Sequence, residues 1–338
     1  MAKLSILYSI TLGLLLSLIN FGLLQGSLDI SLKQLLSMLS ATAGWHLPWR
    51  YSQIQSLVFW QLRLPRILMV TFVGMSLGLS GAVLQRLLRN PLADPGLLGV
   101  ASGAGFAVIL AMVLGGLLLS PFIMPLIAFA GGLLIVVLLY LIAHYLQADR
   151  ISAVLLGGIA INALLAAASS CLLYFADNGT LQRAIFWGFG NIDSVSWPLV
   201  AATILTMICG AVLLLSQARA LNVWSLGEAE ADGLGLNVRQ VLLCCMLGVA
   251  LMVGAAVAVA GPIAFVGLIV PHITRLWCGV EARRLLPLSA LLGGCLLLLA
   301  DIVCHRINPP TILPLGIATA LLGAPIFIAL LIRYRNRL

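Results

Sequence analysis

Ten long apolar runs, most of them near twenty residues, constrain this chain more than any other feature. A run of about twenty apolar residues is long enough for a helix to cross the hydrocarbon core of a membrane. Only 8% of the 338 residues are charged, against about 25% in a soluble domain. The runs lack the alternation of barrel strands. The sequence predicts one all-α integral membrane domain over residues 1–338, with spans near 4–24, 64–85, 97–119, 122–146, 152–175, 197–216, 240–260, 263–279, 285–305 and 314–333.

The basic residues indicate how these spans are oriented. Cytoplasmic loops of membrane proteins carry an excess of Lys and Arg. With ten spans both termini lie on one side, and that side collects twelve of the 18 basic residues, including Arg333, Arg335 and Arg337. We therefore predict that both termini are cytoplasmic. Because the positive charges gather at span ends, the net charge of +8 does not indicate nucleic-acid binding.

Residues 89–102, RNPLADPGLLGVAS, lie where one long apolar run ends and the next begins. Pro91 and Pro95 each remove a backbone donor and disfavour helix at the preceding residue. Gly96 and Gly99 permit a tight turn or close packing. Two interpretations stay open. The stretch is either a re-entrant turn at the inner mouth of a pathway, which requires burial in protein or a water-filled cavity, or a tight hairpin between two spans.

The longest charged stretch between predicted spans on the cytoplasmic side is 217–240. Residues 218–224 and 227–233 could form two short helices that break near Gly227, and glycines stop the second. Such a hairpin could transmit force from a partner; the alternative is an ordinary solvated loop. On the outer side, residues 25–61 contain Trp45, Trp49 and Trp60, which favours an amphipathic segment at the membrane interface.

Several motifs are missing from the sequence, and their absence limits the possible functions. The only lysines, Lys3 and Lys33, do not follow a glycine-rich loop, so the chain has no P-loop for ATP. No paired carboxylates or HExxH motif indicate hydrolysis, and no metal site is predicted, since His46 and His305 have no second ligand at suitable spacing. The seven cysteines include no CxxC motif and are interpreted as packing residues. A helical bundle that has no energy source of its own must obtain energy for transport from a partner protein.

Five motifs then point to a family. In chain order they are RLPR at 63–66, GAVLQ at 81–85 with NPLADPGLLG at 90–99, LGEAEADGLG at 226–235, GPIAFVGLIVPH at 261–272 with Arg275, and LPLGIATALLGAPIF at 313–327. Together they resemble the membrane permease subunits of type II ABC importers, which take up iron chelates, haem and cobalamin. The apolar segments 156–165 and 315–322 resemble each other in sequence, which fits an inverted repeat of the kind common in transporters.

The resemblance implies the chain's partners. It implies a homodimer in the bacterial inner membrane with one pathway at the subunit interface. It also implies two cytoplasmic ATPase subunits that use ATP and Mg, and a periplasmic substrate-binding protein. No cofactor is expected on this chain itself, and no enzymatic activity.

The resemblance also assigns roles by position. Arg63 and Arg66 match arginines that dock the binding protein. A third docking arginine would fall near His305, with Arg306 adjacent, which departs from the family pattern. The matched cytoplasmic gate residues are Asn90 and Leu92, with Ser152 as a further candidate. The residues that match the ATPase-coupling segment are Leu226, Gly227, Glu228, Glu230, Ala231 and Asp232.

The expected function is ATP-powered import of an iron chelate, either a ferric siderophore or haem. Cobalamin is the alternative cargo within the same machine. Two hypotheses from other classes are an ATP-independent secondary carrier and a membrane scaffold that transports nothing.

Overall fold

The computed structural model describes residues 2–26, 28–42, 44–45, 47–115, 123–145, 150–192, 195–307 and 313–335, and every regular element among them is helical. In chain order the α-helices are α1 Ala2–Leu24, α2 Leu32–Thr42, α3 Gln53–Leu57, α4 Leu64–Leu87, α5 Val100–Gly115, α6 Ile123–Tyr145, α7 Arg150–Tyr174, α8 Asn178–Gly188, α9 Trp197–Ser216, α10 Ala218–Trp224, α11 Glu228–Gly233, α12 Val238–Ala260, α13 Val266–Cys278, α14 Ala282–Ile307 and α15 Leu315–Arg335.

Each of the ten predicted spans coincides with one of these helices, which confirms the all-α membrane fold. Seven described helices are long and apolar enough to cross a membrane, and shorter apolar helical stretches are α5, α13 and Leu315–Ala329 of α15. The predicted span 97–119 begins later, at Val100, because Gly99 adopts a left-handed conformation with φ 71°. Residues 116–119 lie outside the described residues, as does His46. The segments of the proposed repeat lie in α7 and α15, and the repeat itself stays a prediction.

Helix α4 lies at the centre of the bundle and packs closely against α14 and α13. A Cβ on Gly74 would collide with the backbone of Gly293 in α14, and a Cβ on Gly81 would collide with the backbone of Gly267 in α13. Small residues at such crossings let backbones approach, which favours van der Waals packing where no water is available to drive association. Helix α4 therefore forms one tightly packed unit with its two neighbours.

The two ends of α4 carry different structures. Its N-terminal end continues from α3 through a π-helical segment, Val58–Arg63. Its C-terminal end meets α10. A helix of 24 residues spans about 36 Å. We call the N-terminal end of α4 the arginine end, since it carries Arg63 and Arg66. We call the C-terminal end of α4 the hairpin end. The bond from Tyr8 Oη to the backbone oxygen of Arg284 places the starts of α1 and α14 together.

The predicted amphipathic segment between the first two spans contains a helix, α2. Leu35 and Met38 are buried on one side of α2, whereas Leu32, Leu36 and Leu39 are exposed on the other. The segment thus has two apolar faces. Its placement on the outer membrane surface stays a prediction.

Candidate functional site

The stretch after α4 folds back into the protein. Arg89 has φ 48°, the Asn90 side-chain oxygen accepts a hydrogen bond from the Leu92 amide at 2.9 Å, and Pro95–Leu98 form a 3₁₀ turn. Ala93 and Leu98 are fully buried. We call residues 89–99 the gate turn. The second half of the turn is packed within protein, whereas Arg89, Pro91 and Leu92 in its first half are exposed. The interpretation as a re-entrant turn at the mouth of a pathway stays a prediction.

Two helices hold the gate turn from the side. Asn162 of α7 donates from Nδ2 to the backbone oxygen of Gly96 at 3.0 Å, and Gly158 leaves room for the backbone of Leu97. Gly267 of α13 lies against Pro95. Sequence reasoning missed Asn162. The available signal was an amide side chain inside an otherwise apolar span, which usually marks a hydrogen bond between helices.

The predicted gate residues occupy different positions around this turn. Asn90 uses its side-chain oxygen within the turn, whereas the side chain of Leu92 is 44% exposed. Ser152 is half-buried in the first turn of α7, and it precedes Gly158 and Asn162 on the same helix. The structure therefore brings Asn90 and Leu92 together and places Ser152 on the helix that supports them.

A cavity of about 350 Å³ lies beside the gate turn. Its walls come from the gate turn, the link between α12 and α13, and the start of α15, and they are mostly apolar. The described residues that line it are Leu77, Asp94, Pro95, Gly96, Ala101, Gly188, Phe189, Val253, Val257, Pro262, Ile263, Ala264, Gly267, Gly316, Ile317 and Ala320. Among these lining residues Asp94 alone carries an ionisable side chain. The cavity can therefore accept an apolar surface but offers few groups for tight, specific binding.

The carboxyl of Asp94, a half-buried residue, both caps the gate turn and titrates in a poorly hydrated position. Its Oδ1 accepts a hydrogen bond from the Gly96 amide at 2.8 Å, which caps the 3₁₀ turn. Burial raises the pKa of Asp94 above its ordinary value of 3.8, and the bond to Gly96 only partly opposes this. A raised pKa means that the folded protein holds the proton more tightly than the unfolded chain does. The resulting stability is present at low pH and is lost as pH rises through the folded-state pKa.

Replacement of Asp94 should separate the stability supplied by its hydrogen bond to Gly96 from the cost of its charge. Asp94→Asn keeps an oxygen that caps the turn and removes the charge, so the variant should unfold at a temperature equal to or above that of the wild type. The difference should be larger at pH 8 than at pH 4, because the charged form of Asp94 is disfavoured only above the ordinary carboxyl pKa. Asp94→Ala loses the cap and should cost about 1 kcal/mol. Thermal unfolding in detergent at both pH values measures this. A lower unfolding temperature for Asp94→Asn at pH 8 would contradict the assignment.

The four predicted docking residues converge at the arginine end. Arg66 forms a 2.9 Å ion pair with Asp301, and the two side chains are 17% and 7% exposed. His305 Nδ1 lies 2.8 Å from the backbone oxygen of Asp301 and 3.4 Å from Arg66 Nη2. The guanidinium of Arg306 lies over the ring of Phe21, 4.9 Å from its centre.

Arg63 has a structural contact of its own. Its guanidinium donates to the backbone oxygens of Leu23 and Leu24 at 3.1 and 3.3 Å, and to that of Leu28. These bonds satisfy carbonyls at and beyond the end of α1, where a helix has no partners of its own. A docking role calls for exposed guanidiniums, but Arg63 and Arg66 are both half-buried, and Arg306 is the exposed arginine among the docking candidates.

At the hairpin end the predicted pair of short helices is present as α10 and α11. Gly227 between them has φ 137°, a conformation that L side chains rarely adopt, and the amide of Ala231 donates to its carbonyl. We call residues 217–240 the coupling hairpin. Gly227 and Ala231 are buried within it, so they shape the hairpin and do not lie on its surface.

The outer surface of the coupling hairpin is both apolar and acidic. Leu226 and Leu234 are 62% and 66% exposed, and Glu230 and Asp232 are exposed beside them. Glu228 is half-buried and borders a groove between α11 and the start of α12, which also includes Asp232 and Arg239. Contiguous exposed apolar patches with a polar rim mark protein-binding surfaces, so this surface is the candidate contact for a partner.

No group of three or more His, Cys, Asp or Glu side chains placed to hold a metal occurs in the part of the chain that the structure describes.

Comparison with known proteins identifies the family. A sequence profile described as the FecCD transport family matches residues 14–333. The hemin transport system permease protein HmuU of Yersinia pestis is 39% identical over 324 residues, covering 93% of this chain and 91% of HmuU. The vitamin B12 import system permease protein BtuC of Yersinia enterocolitica is 41% identical over 314 residues, covering 93% of each chain.

Comparison with solved structures supports the same family and the same helical fold. A metal-chelate type ABC transporter in an inward-facing conformation superposes with a TM-score of 0.84 at 31% identity, covering 97% of this chain and 99% of that one. The structure of PsaBC from Streptococcus pneumoniae, at 20% identity and a TM-score of 0.52, supports the fold alone. The chain therefore belongs to the FecCD transport family, as a membrane permease subunit of a bacterial ABC importer that is not itself the catalytic subunit.

Proposed function

We propose that this chain is one half of a homodimeric permease that imports an iron chelate, a ferric siderophore or haem, with energy from two ATPase subunits. The observation that supports this most is the largely apolar cavity of about 350 Å³ beside the gate turn. A wall of this kind binds cargo weakly, which suits release. Selectivity then belongs to a periplasmic binding protein that delivers the cargo.

The two ends of the bundle would have separate tasks. The arginine end, with Arg63, Arg66, His305 and Arg306, would face the periplasm and dock the binding protein through guanidinium–carboxylate pairs, which are bidentate and directional. The hairpin end would face the cytoplasm, and both termini with it. Leu226, Glu230 and Asp232 would then contact a groove of the ATPase, while Gly227 and Ala231 keep the shape of the surface and Glu228 borders it.

Helix α7 supports the homodimer. It exposes large apolar side chains, with Leu156 and Leu164 68% and 67% exposed and Ile159 between them. The same helix holds the gate turn through Asn162. A second copy against this face would bring two gate turns together, so that a pair of Leu92 side chains closes the pathway and Ser152 lies at its rim. Cargo would pass when the pair separates.

The cargo has two candidates. The relatives described as haem and vitamin B12 permeases share 39% and 41% identity with this chain, so similarity alone favours neither. Cobalamin therefore stands as the second candidate. An ATP-independent carrier is less compatible with two relatives, HmuU and BtuC, that are described as parts of import systems, and with membership of the FecCD transport family.

Uptake into proteoliposomes tests the proposal directly. The chain is reconstituted with its ATPase and binding protein, and uptake of haem, vitamin B12 and ferric siderophores is compared with and without MgATP. We expect uptake of one iron chelate that requires both partners. The permease reconstituted alone is the control. ATP-independent uptake by the permease alone would contradict the importer, and uptake of vitamin B12 only would replace the iron chelate with the second candidate.

A further inference from the structure

One side-chain oxygen joins three helices at the hairpin end. Oδ1 of Asn222, in α10, accepts a hydrogen bond from Arg86 Nη1 of α4 at 3.0 Å and another from the backbone amide of Ala282 at 2.9 Å. Ala282 is the first residue of α14, where backbone amides have no partner within the helix. Asn222 therefore caps α14 from a distant part of the chain and ties it to α4.

Trp224 makes a second connection from the same short helix. Its Nε1 donates to the backbone oxygen of Leu87 at 2.8 Å, and its side chain is fully buried. Leu87 is the last residue of α4, so this bond satisfies one of the helix's terminal carbonyls. Arg86 also donates to the backbone oxygen of Leu221 at 3.3 Å. Helix α10 is thus fixed to the end of α4 by bonds in both directions.

The end of α4 leads directly to the gate turn. The amide of Asn90 donates to the backbone oxygen of Gln85 at 3.1 Å. The side chain of Gln85 donates to the backbone oxygen of Leu268 at 3.1 Å and accepts from Arg275 at 3.1 Å, both in α13. A displacement of the last turn of α4 therefore moves the gate turn and the helix that lies against Pro95.

We propose that Asn222 and Trp224 form a junction that passes movement of the coupling hairpin to α4 and the gate turn. Both act as positioning residues, since neither touches cargo. The inference rests on the proposed function, in which the coupling hairpin binds the ATPase. A junction buried between packed helices can carry force because such interfaces switch between discrete arrangements and do not deform gradually.

A probe on Leu92 can test the junction without knowledge of the cargo. Leu92→Cys is labelled with a nitroxide in a chain whose accessible cysteines, Cys171, Cys209, Cys244 and Cys278, are replaced by alanine. The labelled chain is assembled with its ATPase in proteoliposomes, and the spectral change on addition of MgATP is measured. In Asn222→Ala and Trp224→Phe we expect the ATPase to copurify as in the wild type. The proportion of complexes whose nitroxide spectrum changes on addition of MgATP should fall about tenfold.

Controls distinguish transmission from simple stability. Asn222→Asp retains acceptor oxygens for Arg86 and Ala282 and should restore the response. Ser225→Ala removes a hydrogen bond local to the hairpin and should change nothing. A full MgATP response in both Asn222→Ala and Trp224→Phe would overturn the junction. If Asn222→Ala does not assemble, Trp224→Phe decides. Failure of the wild-type chain to retain the ATPase would overturn the proposed function, and the junction with it.

Discussion

Removal of residues 227–235 is expected to release the ATPase subunits and abolish ATP-driven uptake, while the remaining helices still insert into the membrane. The deletion removes α11 and the exposed Leu234, which lie on the outer surface of the coupling hairpin. Loss of the central apolar contacts of an interface commonly costs 2 kcal/mol or more, or roughly a thirtyfold loss of affinity. Copurification of the tagged permease with its ATPase measures the first effect, and vesicle uptake measures the second.

Point substitutions make the same test without shortening the chain. Leu226→Asp and Leu234→Asp place charges on the two most exposed leucines of the hairpin, and each should weaken retention of the ATPase. Val280→Asp is a matched control, because Val280 is 66% exposed and lies between α13 and α14, outside the hairpin. Normal retention and stimulation of the ATPase by the deletion variant would remove the hairpin from the coupling role.

Local sequence signals were sufficient to predict the spans and the hairpin. The predicted helix at 218–224 has the bounds of α10, and the predicted break at Gly227 is where the backbone turns. Both depend on short-range causes, namely apolar length for the spans and glycine placement for the hairpin. The same kind of signal placed prolines and glycines in the gate turn, although it could not decide between a buried turn and a hairpin.

Tertiary contacts explain what the sequence did not reveal. Asn222 lies in the middle of a correctly predicted helix, but its partners Arg86 and Ala282 are 136 and 60 residues away along the chain. Likewise the amide of Asn162 meets Gly96, 66 residues distant. No periodicity encodes such pairs. The arginines at 63 and 66 were recognised by motif, yet their intramolecular bonds became visible only when α1 and α14 were placed beside α4.

Charge reversal at Arg306 should weaken docking of the loaded binding protein about tenfold at low salt and less at high salt. Arg306 is exposed, and its described contact is with the ring of Phe21, so Arg306→Glu changes the surface with little effect on packing. Binding of the purified binding protein to reconstituted permease, at two ionic strengths, measures the effect. Arg239→Glu makes the same charge change on an exposed arginine at the hairpin end and should leave docking unchanged.

Arg66 requires a different design, because reversal of its charge alone would place two carboxylates together. In Arg66→Glu the new carboxylate would face Asp301, which is 7% exposed; leaving a buried charge without its partner is strongly destabilising. Lost docking would then be indistinguishable from lost structure. The exchange Arg66→Asp with Asp301→Arg keeps the pair and the net charge but moves the guanidinium from α4 to α14. If Arg66 binds the partner, docking falls although the variant unfolds near the wild-type temperature. If Arg66 serves only the fold, docking survives the exchange, and the docking role passes to Arg306.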